Sequence, residues 1–194
     1  MDAKSLDQAA KATYWQDKDL SGARKLLEEG IALAREQGLK GEEKAMSYDL
    51  AAFCWTGWDE PGVVITAGDE AAGLRAAEEN LRLAQELERP SGPMGNAWWM
   101  VGAYRFQEGD FAGATKAFEE FRRLAEGDST RVLLADGYVE IARMFTDQTS
   151  EYRRICEELR SLEGDGSEYA TQLETAVGVF IRRWMVESER RRVD

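Results

Sequence analysis

The chain has 194 residues, of which 37 are acidic and 25 are basic, and its formal net charge at pH 7 is −12. Such a charge repels phosphate backbones and anionic lipid head groups, so the composition argues against nucleic acids and membrane surfaces as partners. The chain has no histidine. Because histidine is the commonest general base and the commonest metal ligand, we expect no metal site, no cofactor and no enzymatic activity.

Helical periodicity dominates the apolar pattern. The chain is 43% hydrophobic and contains only three prolines, and it lacks the alternating runs of β-branched residues that are typical of strands, which favours an all-α fold. Its length suits one domain, so we expect residues 1–194 to form a single unit. No apolar run approaches the roughly 18 residues of a membrane span. Two widely separated cysteines, Cys54 and Cys156, suit buried free thiols, and we expect a cytoplasmic location.

Pairs of amphipathic segments follow one another along the chain, separated by turn residues. We predict four helical hairpins and a terminal helix that covers the end of their stack. These five units span residues 5–38, 42–89, 94–127, 129–163 and 167–190. The third hairpin is the clearest, because Glu108-Gly109-Asp110-Phe111 divides two apolar helical patterns. One such hairpin cannot bury its apolar face alone, so its neighbours must stack on it.

The second segment of each hairpin contains the same short pattern. Two apolar or small residues precede a pair of glutamates, and a leucine follows a little further on. The first glutamates of the four pairs are Glu28, Glu78, Glu119 and Glu157, which gives periods of 50, 41 and 38 residues. Glutamate pairs are also common on solvated helix faces, but their coincidence with the predicted hairpins favours an internal repeat.

The third hairpin resembles a tetratricopeptide repeat. Trp98 stands at the family's large first-helix position, Val101-Gly102 at its Leu-Gly pair, and Gly109-Asp110-Phe111 at its turn. In the second helix, Ala114 and Phe118 match the small close-packing site and the aromatic that follows it. The resemblance implies an α-solenoid of stacked hairpins that binds a protein or peptide segment in a concave groove.

In tetratricopeptide proteins the first helix of each unit lines the groove, and this rule assigns candidate contact residues here. Carried over position by position, it implies that the partner-binding residues are Gln8, Trp15, Asp49, Phe53, Asn96, Trp99 and Phe106. The alternative is that the aromatic residues among them pack against neighbouring helices. Because the chain is acidic, we expect the bound segment to be basic and amphipathic, with its apolar anchor held by the aromatics.

The second hairpin contains an insertion at residues 59–68. Its Val63-Val64-Ile65-Thr66 run is β-prone and is flanked by glycine and proline, which free it from the neighbouring helices. We therefore expect either a flap over the groove or an extended segment that pairs with another chain. Asp69 is expected to cap the helix that follows.

Two alternatives to an interaction module stay open. Exposed aromatics on a helical stack favour self-association into a homodimer or a larger homo-oligomer. A carboxylate-based enzyme or small-ligand binder would have to use acidic residues near the insertion, namely Asp59, Glu60 and Asp69. Nothing in their spacing indicates the burial that would separate their pKa values. A non-catalytic module that binds a protein segment is therefore the main hypothesis.

Overall fold

The computed structural model describes residues 2–146 and 149–193, with side chains described as far as Val186, and this part of the chain is all-α. It contains nine α-helices and one short 3-10 helix. In chain order they are α1 (Ala3–Asp17), α2 (Leu20–Glu36), α3 (Lys40–Phe53), the 3-10 helix (Thr56–Trp58), α4 (Ala67–Glu86), α5 (Ser91–Gln107), α6 (Phe111–Leu124), α7 (Ser129–Met144), α8 (Tyr152–Ser161) and α9 (Gly166–Val193). Within the described ranges, none of these helices combines the length and apolar character that a membrane span requires.

The helices pack in adjacent pairs. Each helix contacts the next one along the chain, and further contacts between alternate helices join α1 to α3, α3 to α5 and α7 to α9. Helices α1, α3 and α5, together with α7, whose Tyr138 contacts Trp99 of α5, therefore form one layer, which we call the inner layer. The even-numbered helices lie behind it, and α9 crosses it. This arrangement is compatible with a helical repeat.

The repeated glutamate pattern occupies equivalent positions in the even-numbered helices. The residue directly before each glutamate pair is buried, and these residues are Leu27, Ala77, Phe118 and Cys156. The paired glutamates face solvent fully or in part. All four helices thus use one sequence pattern to bury the same side, as an internal repeat requires.

The residues that carry the family resemblance close the third hairpin. A Cβ atom added at Gly102 would lie 2.6 Å from Cε1 of Phe118, so only glycine lets this ring approach the backbone of α5. At the turn, Asp110 Oδ1 accepts a hydrogen bond from the Gly113 N–H at 2.9 Å and caps α6. Ala114 is fully buried at the contact between the two helices.

The N-terminus of α4 differs from the sequence prediction. Its N-cap is Thr66, whereas Asp69 lies three residues further on and completes a capping box. Asp69 Oδ2 accepts a hydrogen bond from the Thr66 N–H at 2.9 Å, and Thr66 Oγ1 accepts one from the Asp69 N–H at 3.3 Å. Both residues can cap a helix, and the reciprocal pair satisfies two N–H groups where Asp69 alone would satisfy one.

The insertion is irregular but attached to the protein. Val63 and Ile65 pack against the core, while Val64 between them is 81% exposed. At the start of the segment, Glu60 forms an ion pair with Lys18 at 2.7 Å. No residue of the insertion belongs to a strand in this structure of a single chain, and its pairing with another chain stays a prediction.

The last helix returns from the fourth hairpin to the second. α9 packs on α8 and α7, and it also reaches the 3-10 helix of the second hairpin. Its Phe180 is fully buried, with ring centroids 6.3 Å from Trp55 and 4.8 Å from Phe106. The predicted terminal cap is thus a helix that crosses the inner layer, because its apolar stripe meets a second aromatic surface there.

Two ion pairs attach α9 to the second hairpin. Arg182 lies 2.8 Å from Asp59, and Arg183 lies 2.5 Å from Glu70 at the start of α4. The second pair is bidentate, since Arg183 donates to both oxygens of Glu70. The C-terminal part of α9 therefore lies against the insertion and α4.

Candidate functional site

The seven predicted contact residues fall into two groups. Gln8 and Trp15 of α1, with Asp49 and Phe53 of α3, lie at the N-terminal end of the inner layer. Asn96, Trp99 and Phe106 all belong to α5, on the part of the inner layer that α9 crosses. The structure therefore brings the first four together on one surface and separates them from the other three.

The two aromatics of the α5 group are core residues. Trp99 is 4% exposed and Phe106 is 3% exposed. The Trp99 ring contacts Trp55 and Tyr138, with centroids 5.4 and 5.7 Å away, and Phe106 packs on Phe180 of α9. Of the two interpretations of these aromatics, packing against neighbouring helices describes both residues.

Asn96 lies at a small pocket that α9 partly encloses. The pocket has a volume of about 150 Å³, and Arg131 from α7 donates a hydrogen bond to Asn96 Oδ1 at its edge. Tyr169 and Gln172 of α9 form part of its lining. Because small-ligand sites usually measure about 300–1,000 Å³, this pocket is too small to be the main binding site.

A larger, mostly apolar pocket lies between α1 and α3, and we call it the α1–α3 pocket. Its volume is about 370 Å³. It is lined by Tyr14, Trp15, Ala52, Phe53, Trp58, Glu60 and Glu168. The walls thus come from α1, α3, the 3-10 helix, the insertion and the first turn of α9. Two of the seven predicted residues, Trp15 and Phe53, contribute to it.

Two aromatic rings of this pocket are stacked, and a third stands at a right angle to both. Tyr14 and Phe53 stack with their centroids 4.0 Å apart and their planes 3° from parallel. The Trp15 ring stands at 88° to both, 4.9 Å from Tyr14 and 6.1 Å from Phe53. Trp15 is 54% exposed, although the stacked pair behind it is buried. The pocket therefore offers an exposed indole next to a rigid, buried support.

Trp58 adds another aromatic side chain, and its orientation is fixed by a hydrogen bond. Its indole Nε1 donates to the backbone carbonyl of Ala52 at 2.9 Å. Ala52 is also in the pocket lining, so the bond ties the 3-10 helix to the wall formed by α3. Trp58 presents its apolar ring to the pocket without leaving an unpaired donor.

Acidic side chains and one lysine lie at the edge of the pocket. Lys18 Nζ lies 2.7 Å from Glu60 Oε1 and 5.4 Å from the centre of the Trp15 ring, a distance at which cation–π attraction acts. Burial, and then the charge of Glu60, raise the pKa of Tyr14 to about 12. Glu168 has no ion-pair partner among the side chains described. The pocket thus carries a negative potential that Lys18 neutralises only in part.

A charged cluster lies one helical turn away on the same two helices. Lys11 Nζ lies 2.8 Å from Asp7 Oδ2 and 2.9 Å from Asp49 Oδ2. Burial raises the pKa of Asp49 from its ordinary 3.8 to about 6, although its hydrogen bond with Lys11 and the positive charge of Lys11 oppose the rise. Lys11 lies four residues before Trp15 on α1, and Asp49 lies four residues before Phe53 on α3. Residues with this spacing are neighbours on one face of a helix, so the charged cluster and the pocket form one surface.

The carboxylates named for an enzyme do not face one another. Asp59, Glu60 and Asp69 each pair with a different cation. The partners are Arg182, Lys18 and Arg24, at 2.8, 2.7 and 2.9 Å. Among the residues described, no group of three or more histidine, cysteine, aspartate or glutamate side chains is placed to hold a metal ion.

Sequence reasoning missed Trp58 and Glu168 as pocket residues. No sequence motif marked Trp58, and the 3-10 helix that follows α3 turns this indole toward the pocket. Glu168 is far away in the sequence and reaches the pocket only because α9 crosses the inner layer. No protein-family model matches the chain, and a search among curated proteins found no match.

Proposed function

We propose that this protein is a non-catalytic interaction module of tetratricopeptide-like architecture that binds a basic, amphipathic segment of another protein at the surface formed by α1 and α3. The observation that carries this proposal is the α1–α3 pocket, an open aromatic site in which Trp15 is 54% exposed. Tryptophan is among the side chains that most often contribute the binding energy of protein interfaces, so an exposed tryptophan in a concave, mostly apolar site favours a binding role.

The position of α9 limits where the segment binds. The helix covers the aromatic surface of α5, where Phe180 packs on Phe106. In the N-terminal half of the inner layer the aromatic pocket is open, and Gln8, an exposed polar residue, lies two helical turns before Trp15 on α1. The proposed contact surface therefore uses the first two hairpins instead of the full length of the stack.

Charge complementarity selects a basic segment. The surface carries more carboxylates than lysines, and its charged residues are Asp7, Asp49, Glu60, Glu168, Lys11 and Lys18. The net charge of −12 for the whole chain adds a longer-range attraction. Exposed charge pairs contribute little affinity individually, so the acidic residues should speed association while the aromatics slow dissociation.

Two helical model peptides test the proposal. They share one leucine face and differ only in carrying lysine or glutamate on the polar face, and their binding kinetics are measured at several salt concentrations. We expect the lysine peptide to bind, with an association rate that falls as salt is added, and the glutamate peptide not to bind. Trp15→Ala should raise the dissociation rate of the lysine peptide.

A matched variant separates specific binding from general attraction to an acidic protein. Leu39 is also exposed but does not line the α1–α3 pocket, so Leu39→Ala should leave both rates unchanged. Equal dissociation rates for wild type and Trp15→Ala would show that the peptide binds elsewhere, and the proposal would then be abandoned.

Self-association is the second candidate function. Val64 of the insertion and Ile181 and Val186 of α9 are exposed apolar side chains outside the pocket. Arg182, next to Ile181, pairs with Asp59 at the start of the insertion, which places α9 close to this segment. Light scattering across a range of protein concentrations tests this candidate, and a constant monomer mass would remove it.

A further inference from the structure

A positive charge supplied by the protein itself lies at the edge of the α1–α3 pocket, against two of its lining residues. Lys18 follows α1 directly, has a left-handed backbone conformation with a φ of 55°, and extends its ammonium group to Glu60 and the Trp15 ring. We propose that the pocket binds an alkylammonium group of the incoming segment, and that this group displaces Lys18 from Trp15 and Glu60. The inference rests on the proposed function, since the ammonium group belongs to the bound segment.

The aromatic walls of the pocket have a geometry that suits a rounded cation. The Trp15 ring is perpendicular to the stacked Tyr14 and Phe53 rings, so the walls form a corner instead of a flat slot. A flat slot suits a planar ligand, whereas a corner surrounds a rounded group from two directions. Tyr14 and Phe53 cover one face of each other and support the corner, whereas the exposed Trp15 ring is the one over which the Lys18 ammonium group lies. The negative face of an indole attracts cations, and quaternary ammonium groups are recognised by aromatic walls.

The size and polarity of the pocket also suit an alkylammonium group. At about 370 Å³ the pocket lies near the lower end of the usual range for ligand sites. It has room for one side-chain head group and not for a large ligand. Its lining is mostly apolar, which favours a weakly hydrated, alkylated cation over a group that must keep several hydrogen bonds.

Two carboxylates line the pocket and attract a positive charge. Glu60 enters from the insertion and Glu168 from the first turn of α9, so two separate elements bring a negative charge to the same site. Lys18 pairs with Glu60, but Glu168 has no ion-pair partner in the described ranges. A second positive charge is therefore attracted to the pocket even while Lys18 is present.

The contact made by Lys18 can be displaced at little cost. The Lys18 side chain is 36% exposed, and ion pairs of that kind contribute little to stability. The need to displace Lys18 therefore weakens the binding of another cation by about fivefold or less. The contacts of Lys18 show that Trp15 and Glu60 can hold an ammonium group. Because the Lys18 side chain is partly exposed, it can move into solvent when another cation binds.

A small-molecule titration tests the inference without a protein partner. The full-length chain with 15N-labelled tryptophan is titrated with choline and with 3,3-dimethylbutan-1-ol, in which a carbon atom replaces the charged nitrogen. Sodium chloride keeps the ionic strength constant. We expect choline to shift the indole signal of Trp15 in a saturable way and the neutral alcohol to leave it unshifted. Nα-acetyl-lysine methylamide is titrated in parallel, to compare the primary ammonium group of a lysine side chain with the quaternary ammonium group of choline.

Three variants assign the binding to named groups. Trp15→Ala removes one aromatic wall and should weaken choline binding by about two- to thirtyfold, read from the Trp58 indole signal. Glu60→Gln should also weaken binding. Lys18→Gln should strengthen it by up to about fivefold, because the competing cation is gone. Lys25→Gln is the matched control, since Lys25 is exposed on α2 and its loss changes the net charge equally.

The outcomes separate this inference from the proposed function. The inference is overturned if the alcohol shifts Trp15 as strongly as choline does, if neither cation shifts it, or if Lys18→Gln behaves like Lys25→Gln. Binding of the lysine peptide through Trp15 would then still support the interaction module. Conversely, saturable choline binding without any peptide binding would support the cation pocket and count against the module.

Discussion

Gly73 in α4 offers a sharp test of how the second hairpin packs. A Cβ atom at this position would lie 1.8 Å from the Tyr104 hydroxyl oxygen and 2.8 Å from Cβ of Cys54. The same hydroxyl donates a buried hydrogen bond to the backbone carbonyl of Ala51 at 2.7 Å. Gly73→Ala adds only one methyl group, but it forces the Tyr104 side chain of α5 away from α4 and away from the Ala51 carbonyl.

The expected cost follows from three contributions. Overpacking a filled core costs about 1–3 kcal/mol. Breaking the Tyr104 hydrogen bond and leaving a buried polar group unpaired costs about 1–3 kcal/mol more. Alanine recovers about 1 kcal/mol because it is the better helix former. The free energy of unfolding should therefore fall by about 3 kcal/mol, which for a chain of this size lowers the melting temperature by about 6–12 °C.

Thermal unfolding followed by circular dichroism gives the answer, with Gly41→Ala as the control. No heavy atom lies within 4 Å of a Cβ added at Gly41 in the first turn of α3, so this variant should be as stable as wild type or gain up to about 1 kcal/mol. If Gly73→Ala melts at the wild-type temperature, the close contact between α4 and α5 does not exist in solution.

Three further predictions test other parts of the structure. The pKa of Asp49 is raised from 3.8 to about 6, so the folded chain binds the carboxyl proton more tightly than the unfolded chain. The contribution of this carboxyl to stability should therefore fall as the pH rises from about 4 to about 6. Because Lys11 lowers the pKa of Asp49, an NMR titration of the carboxyl should show a still higher midpoint in Lys11→Met. Phe180→Ala should lower the free energy of unfolding, measured by chemical denaturation, by about 3–5 kcal/mol because Phe180 is fully buried. Its neighbour Ile181 is 40% exposed, so Ile181→Ala should lower that free energy by less than about 0.5 kcal/mol. Thr66→Ala should cost about 1 kcal/mol by removing the capping box of α4, and an unchanged denaturation midpoint would contradict that assignment.

The glutamate pairs predicted more of the structure than was drawn from them. The residues five positions before Glu28, Glu78 and Glu119 are Ala23, Gly73 and Ala114, and all three are buried. The fourth copy differs, because the residue five positions before Glu157 is Tyr152, which is only half-buried. In α2, α4 and α6 the local pattern thus indicates which side of the helix faces its partner. It succeeds because burial within a hairpin depends mainly on neighbouring residues along the chain.

The location of α9 could not be predicted in the same way. Its apolar period indicates a helix with a buried stripe, but the stripe does not specify which surface covers it. The helix lies against the second hairpin because Phe180 meets Trp55 and Arg183 meets Glu70, and each pair joins residues more than a hundred positions apart. The contact of Phe106 with Phe180, like the contribution of Glu168 to the pocket, depends on this long-range packing.

The return of α9 to the second hairpin also affects how the protein unfolds. In an open stack of repeats each unit contacts only its neighbours, so terminal units can unfold while the rest stays intact. The hydrogen bonds from Arg182 to Asp59 and from Arg183 to Glu70 bridge 123 and 113 positions. The helices of the third and fourth hairpins lie between these positions in the chain, so releasing α9 exposes part of their core as well as its own. We therefore expect one cooperative unfolding transition for the full chain, with amide protons in the second and fourth hairpins exchanging through the same global opening.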